Sequence, residues 1–263
     1  MNVSEYIKQL QSIEEYAFSW EEVREKCNSP ESTLRKELAR LANKNEIFNL
    51  RQGFYLILPP RYQNFGKLPV QLYVNKLFRH LGKTYYVGLY SAATVYGASH
   101  QRIQQDYIIT VPPALRDIEK DKTKIRFFKT ENWPVKNIIE KKSDAGLYNV
   151  SSPALTVADL VHQQTKIGGI NRMLANLQEL SSEINGEDIE NLLSWYPYKS
   201  TLQRLGYLME KLEARENVPK LIYEHLKKEP FYSVLLSPKE DQKAGKTGNR
   251  WKVDVNIQLE NDL

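Results

Sequence analysis

Cysteine is nearly absent from this chain: Cys27 is the single one among 263 residues. That excludes a disulfide framework and any multi-cysteine metal or iron–sulfur site. Long apolar runs are missing too, and nothing approaches the ~20 residues of a membrane-spanning helix. The opening residues, Met1 to Tyr16, are polar and acidic and lack the apolar stretch of a signal peptide. Together these absences imply a soluble, cytoplasmic protein without a membrane partner. Histidine is scarce as well. His80, His100, His162 and His225 stand far apart, and no pair has the spacing of a helical metal-binding motif.

What the chain does contain is enough apolar material to fold. Hydrophobic residues make up 41 % and aromatics 11 % of the sequence, which excludes wholesale disorder. At ~100–200 residues per domain, the length implies two domains or one large one. The formal net charge is +5, and it is unevenly spread. Residues 1–60 carry 8 Lys/Arg against 9 Asp/Glu, residues 61–150 carry 15 against 7, and residues 151–263 carry 14 against 16. The basic middle fits a polyanionic partner. The first sixty residues are polarised along their length. Glu14, Glu15, Glu21, Glu22 and Glu25 precede Arg35, Lys36, Arg40, Lys44 and Arg51.

In those sixty residues Val3 to Leu10 reads as a short helix. Ser19 is an N-cap candidate for a second helix over 20–26, with Glu21 and Glu22 in its first turn. Ser29 followed by Pro30 predicts the start of a third helix over 31–43. Leu34, Leu38 and Leu41 recur at helical spacing and must face inward. Ser32, Thr33, Arg35, Lys36, Arg40 and Lys44 fall away from that stripe. Two strand-like runs follow, 47–50 and 54–58, joined by Arg51-Gln52-Gly53, where glycine permits a tight turn. Helix, helix, turn, helix and basic-tipped hairpin is the order of a winged helix-turn-helix. In such a unit Ser32 and Thr33 suit phosphate contact, while arginine and lysine bind phosphates or read guanine edges. Gln52 sits with Arg51 at the wing tip. The same fold used only for protein contacts is the bland alternative.

Beyond Pro59-Pro60 the pattern predicts a larger α+β domain over 61–263. It is strand-containing over 61–150, mainly helical over 151–230, and closed by strands over 231–263. Expected elements are a helix over 68–81, a short helix over 91–96 stopped by Gly97, strands over 107–111 and 124–129, and a hairpin over 137–150. Helices follow over 153–163, 170–180, 187–195, 201–212 and 219–227. From Trp251 to Leu259 apolar and polar residues alternate strictly, which predicts a half-buried strand. Strands first and helices later indicate α+β rather than alternating α/β.

No catalytic constellation emerges. Gly245-Lys246-Thr247 is like the end of a phosphate-binding loop, but Glu240 stands where its first glycine belongs and a strand is expected after it. Asp254 could be imagined in a nuclease-type carboxylate cluster around Mg²⁺. No acidic-x-Lys pairing supports it, so the reading from residues is non-enzymatic, with a nuclease-like or modification-reversing enzyme as the alternative. A stand-alone transcriptional regulator is another.

Four segments resemble a known family. They are the N-terminal unit ending in Arg51-Gln52-Gly53-Phe54-Tyr55, the aromatic-rich run from Tyr85 to Gly97, the segment from Val150 to Leu160, and Gln203 to Glu210. In this order they are similar to the AbiEi antitoxins of type IV toxin–antitoxin systems, first known from abortive phage infection. The family positions are Tyr86, Ser91, Tyr96, Gly97, Asp159, Arg204, Gly206 and Tyr207. Ala154 departs from the pattern, where the family often has glutamate. Each position also has a structural account: aromatics as core, Gly97 as a helix stop, Gly206 as a close helix contact, Asp159 and Arg204 as an internal ion pair. The resemblance implies a DNA-binding antitoxin that represses its own operon at inverted repeats, with cooperative self-association on that DNA. It also implies a nucleotidyltransferase toxin as the opposed partner, without a need for a stable complex, and no cofactor.

Overall fold

The computed structural model describes residues 1–63, 65–98, 104–214, 217–239 and 243–260. His100 and Glu240 lie outside the described residues.

Local signals account for the first elements. Helix α1 (Val3–Ser12) is closed by a capping box, with Glu5 N–H donating to Asn2 Oδ1 at 2.9 Å and Asn2 N–H donating to Glu5 Oε2 at 3.0 Å. Strand β1 (Ala17–Ser19) leads directly into α2 (Trp20–Lys26). Ser19 caps α2 as predicted: its Oγ accepts from Glu22 N at 3.1 Å, and Glu22 Oε2 accepts from Ser19 N at 2.6 Å. Helix α3 (Glu31–Asn43) spans the predicted residues, but Ser29 is not its cap. Pro30 holds that position with ψ 146 and no side-chain bond, because its fixed φ of −55 already supplies the entry geometry. Its carbonyl accepts from Thr33 N at 2.9 Å and Leu34 N at 3.1 Å.

Strands β2 (Ile47–Arg51) and β3 (Phe54–Ile57) pair antiparallel, with a bulge between Asn49 and Arg51. Gly53 turns the chain at φ +74, a conformation that L side chains resist. Strand β1 flanks β3 on its other edge, giving the order β1-β3-β2. Sequence pattern does not reveal β1, since all three of its residues are buried and nothing alternates. Leu34, Leu38 and Leu41 join Val3, Tyr6, Phe18 and Ile57 in one apolar cluster drawn wholly from the first 57 residues. Full burial of each leucine contributes about 1.5–3 kcal/mol over exposure.

The later elements are α4 (Pro60–Gln63), α5 (Val74–Leu81), β4 (Tyr85–Val87), α6 (Leu89–Val95), β5 (Asp106–Thr110), β6 (Ile118–Lys120) and β7 (Thr123–Lys129). Then come β8 (Ile138–Ser143), β9 (Gly146–Ser151), α7 (Pro153–His162), α8 (Gln164–Ile167), α9 (Leu174–Glu183), α10 (Gly186–Leu193), α11 (Lys199–Lys211) and α12 (Asn217–Leu226). Two short strands, β10 (Val234–Leu235) and β11 (Val253–Asp254), come last. The larger sheet has the order β6-β7-β5-β4-β9-β8, with β5–β7 and β4–β9 parallel and β6–β7 antiparallel. The architecture is mixed α+β.

Packing divides the chain into two compact units, which differ from the boundary expected at residue 60. One comprises Met1–Tyr86, Gln104–Thr130 and Glu140–Asn149; the other comprises Val87–Ile103, Glu131–Ile139 and Val150–Leu263. At the centre of the second unit is α7, whose residues Pro153 to Val161 are all buried, with α6, α9, α10 and α11 against it. A helix buried on every side, with only Thr156 and Asp159 polar among those residues, needs such a position.

The predicted strand over 251–259 is corrected to two residues, paired with the two of β10. Trp251 and Val253 are buried, but Val255 is 46 % exposed, so the alternation fails after the second step. Side chains replace the ladder. Asn256 Nδ2 donates to Ser237 O at 2.8 Å, Asn256 Oδ1 accepts from Ser237 N at 2.9 Å, and Asp254 Oδ2 accepts from Gly245 N at 2.8 Å.

Candidate nucleic-acid interface

At 100° per residue, α3 presents two faces. The inward one is Leu34, Leu38 and Leu41. Ser32, Lys36 and Arg40 lie opposite it and Thr33 and Lys44 at one edge; all five are exposed, Lys44 at the C-cap. Arg35 is exposed too, at the edge of that face, and it is tethered. Its guanidinium lies 4.5 Å from the centre of the Trp20 ring and 3.9 Å from Glu31. Glu37 accepts from Val3 N at 3.0 Å. Both carboxylates of α3 are therefore engaged, Glu37 in joining α3 to α1 and Glu31 with Arg24 and Arg35.

The hairpin is anchored by Trp20 N–H, which donates to Gly53 O at 2.8 Å. Gln52 at its tip is exposed. Arg51, expected to project from the tip, is instead half-buried, and its Nη1 is buried without a hydrogen-bond partner among the described residues. It closes strand β2, and the bulge beside it redirects the side chain. Sequence reasoning missed a further cation. Lys120, at the end of β6, donates from Nζ to Asn49 O at 3.0 Å and to Asn49 Oδ1 at 3.2 Å, so the β6–β7 hairpin adds positive charge beside β2. The basic middle segment was the available signal, but only the fold shows which hairpin it flanks.

The eight other positions are distributed over β4, α6 and its C-terminal cap, α7 and α11. Tyr86 and Ser91 are buried. The Tyr96 hydroxyl donates to Ser151 O at 2.8 Å, and Gly97 stops α6 at φ +75. Asp159 is buried within α7. Arg204 Nε donates to Leu235 O at 2.7 Å, and burial pulls its pKa below the ordinary arginine value. A Cβ on Gly206 would overlap the six-membered ring of Trp251. Burial pushes the neighbouring Tyr207 phenol upward.

At Ala154, where the resemblance leads to the expectation of glutamate, a carboxylate from another element meets the backbone. Asp188 of α10 accepts from Ala154 N at 2.8 Å, in the first turn of α7, and Asn137 Nδ2 donates to Asp188 Oδ1 at 2.8 Å. Among the described residues no three His, Cys, Asp or Glu side chains cluster to hold a metal, and no helix is long and apolar enough to cross a membrane.

Comparison with known proteins agrees with this architecture. A solved structure, the RV2827C protein from Mycobacterium tuberculosis, aligns with a TM-score of 0.66 and 15 % identity over 95 % of this chain and 89 % of that one, which establishes a shared fold. A second, an antigenic nucleotidyltransferase-like protein from Paracoccidioides brasiliensis, reaches a TM-score of only 0.31 at 9 % identity, covering 54 % of this chain and 89 % of its own. No curated protein matches the chain. The family described as AbiEi antitoxin C-terminal domain matches residues 86–211, a span that includes all eight positions named above. Over residues 86–211 this chain is an AbiEi antitoxin C-terminal domain.

Proposed function

We propose that the chain is a DNA-binding antitoxin of a type IV toxin–antitoxin system, acting in the cytoplasm. In this reading residues 1–60 are a winged helix-turn-helix that represses the protein's own operon at inverted repeats, with α3 in the major groove. Residues 61–263 counter a nucleotidyltransferase toxin. The observation that carries the DNA half is the exposed surface of Ser32, Thr33, Lys36, Arg40 and Lys44, outside the buried leucine stripe of α3. An amphipathic helix whose free side is cationic and hydroxyl-bearing, beside a hairpin, has the chemistry of phosphate and base-edge contact. Arg35 flanks this face, Gln52 offers a polar tip, and Lys120 extends the charge. Arg51, half-buried, is assigned to holding the hairpin's shape. The toxin half rests on the family domain.

A salt titration of binding to DNA from upstream of the gene tests the proposal. Lys36→Ala, Arg40→Ala and Lys44→Ala each remove one cation from the phosphates, and each should lower the slope of log K against log salt by ~1. Unchanged affinity and slope in all three variants would remove α3 from the interface.

A further inference from the structure

The first compact unit brings two hairpins together, β2–β3 and β6–β7. Lys120 of β6 pairs with Thr123 of β7, so the turn between them is two residues, Asp121 and Lys122. Lys120 ties that turn to β2: both bonds from its Nζ end on Asn49, two residues before Arg51. The acceptors are a carbonyl and a carboxamide oxygen, both neutral, so the ammonium keeps its charge. Lys122 is exposed beside it and has no carboxylate within salt-bridge distance among the described residues. Gly66 makes room for its stem, since a Cβ there would come within 3.1 Å of Lys122 Cδ. Behind the turn the cations are matched across the hairpin, Lys124 with Glu119 at 2.6 Å and Arg126 with Asp117 at 3.6 Å. Asp121 forms no ion pair among the described residues, and two lysines against one aspartate leave the turn net positive. The hairpin is thus paired along its stem and cationic where it meets β2.

We propose that the β6–β7 turn is a second wing, with Lys120 and Lys122 against phosphates of the same duplex whose groove receives α3. The inference rests on the DNA-binding reading of residues 1–60 and deepens it. The backbone track continues from the β2–β3 hairpin onto residues 120–122, which lengthens the DNA that the protein covers. Contacts of this kind reach backbone alone, so they add affinity and orientation without sequence preference.

Fluorescence anisotropy of the full chain on duplex DNA from upstream of the gene, repeated across a salt series, tests it. Lys122→Ala should lower the slope of log K against log salt by ~1. Lys124→Ala, on the same hairpin but already paired, should leave the slope near that of the parent. In hydroxyl-radical footprinting, Lys122→Ala should lose protection at a flank of the protected segment while its centre is retained. An unchanged slope or footprint in Lys122→Ala overturns the second wing; if Lys36→Ala and Arg40→Ala lower the slope in the same series, the reading of α3 stands. An equal fall for Lys122→Ala and Lys124→Ala also overturns it, because net charge would then act without a contact at the turn. A fall for Lys122→Ala with the α3 variants unchanged would remove α3 from the interface and leave the hairpin as a phosphate contact. Absence of binding overturns both readings.

Discussion

Gly206 shows what a single missing Cβ can do. Trp251 is 1 % exposed and lies directly on the backbone of α11 at Gly206, and its indole N–H bonds Glu210 one turn further on. Any side chain at 206 must displace that ring. Gly206→Ala should therefore destabilise the chain by ~1–3 kcal/mol despite alanine's better helix propensity, measured as a lowered denaturant midpoint. The sequence supports a close contact at this glycine but could not name its partner, forty-five positions away. His162 offers a residue-scale test by pH. Its Nδ1 lies 3.1 Å from Thr201 Oγ1 and its ring stacks on Tyr198 at 4.2 Å. Burial first, then the nearby Lys166 and Arg204, push its pKa below the ordinary 6.5. The unfolded chain thus takes up the proton before the native ring does. Stability contributed by the neutral ring is present above about pH 6.5 and lost as pH falls below it. His162→Gln should flatten the fall in unfolding temperature between pH 7.5 and 5.5, leaving the part due to His225, whose pKa is also lowered by burial. An equally steep fall in the variant would exclude His162 as the source.

At the scale of elements, helices were legible wherever capping and periodicity agreed. Ser19 and the leucine stripe of α3 locate two helices within a residue or so, because these signals act within one or two turns. Strands with partners distant in sequence were less legible. Strand β1 is too short to alternate, and β6 needs β7 before it has a register. The chain's end is the instructive failure: perfect alternation from Trp251 to Leu259 yields a two-residue strand, since β10 offers only two residues to pair with. Alternation states which faces a strand would have; it cannot supply a neighbour. The candidate interface divides the same way. The face of α3 follows from helical spacing alone, whereas the half-burial of Arg51 and the approach of Lys120 to Asn49 depend on a bulge and on a second hairpin. The first turn of α7 makes a test at this scale. A carboxylate from α10, that of Asp188, accepts from its backbone there. Asp188→Ala should cost ~1–2 kcal/mol, as loss of a helix N-terminal acceptor does. Restoring a local acid with Ala154→Glu in that variant should recover part of the loss, read from chemical unfolding; no recovery would mean that Asp188 acts mainly through Asn137.

For the molecule as a whole, the proposed tasks draw on different surfaces, and that separation can be measured. The cations assigned to DNA are on α3, within an apolar cluster built from the first 57 residues. The match to the antitoxin domain begins at residue 86. Neutralising α3 leaves Leu34, Leu38 and Leu41 in place, and changes at exposed positions away from special features are usually within about 0.5 kcal/mol. The combined Lys36→Ala, Arg40→Ala, Lys44→Ala variant should therefore fold, lose operator binding in a salt titration and derepress a reporter under its own promoter. Expressed from an independent promoter, it should still rescue growth of cells producing the neighbouring toxin. Gly206→Ala should do the reverse at temperatures where its core loosens, weakening rescue more than DNA binding. If the α3 variant failed to rescue while remaining folded, the two tasks would share a surface, and the division of labour between the first sixty residues and the rest would have to be abandoned.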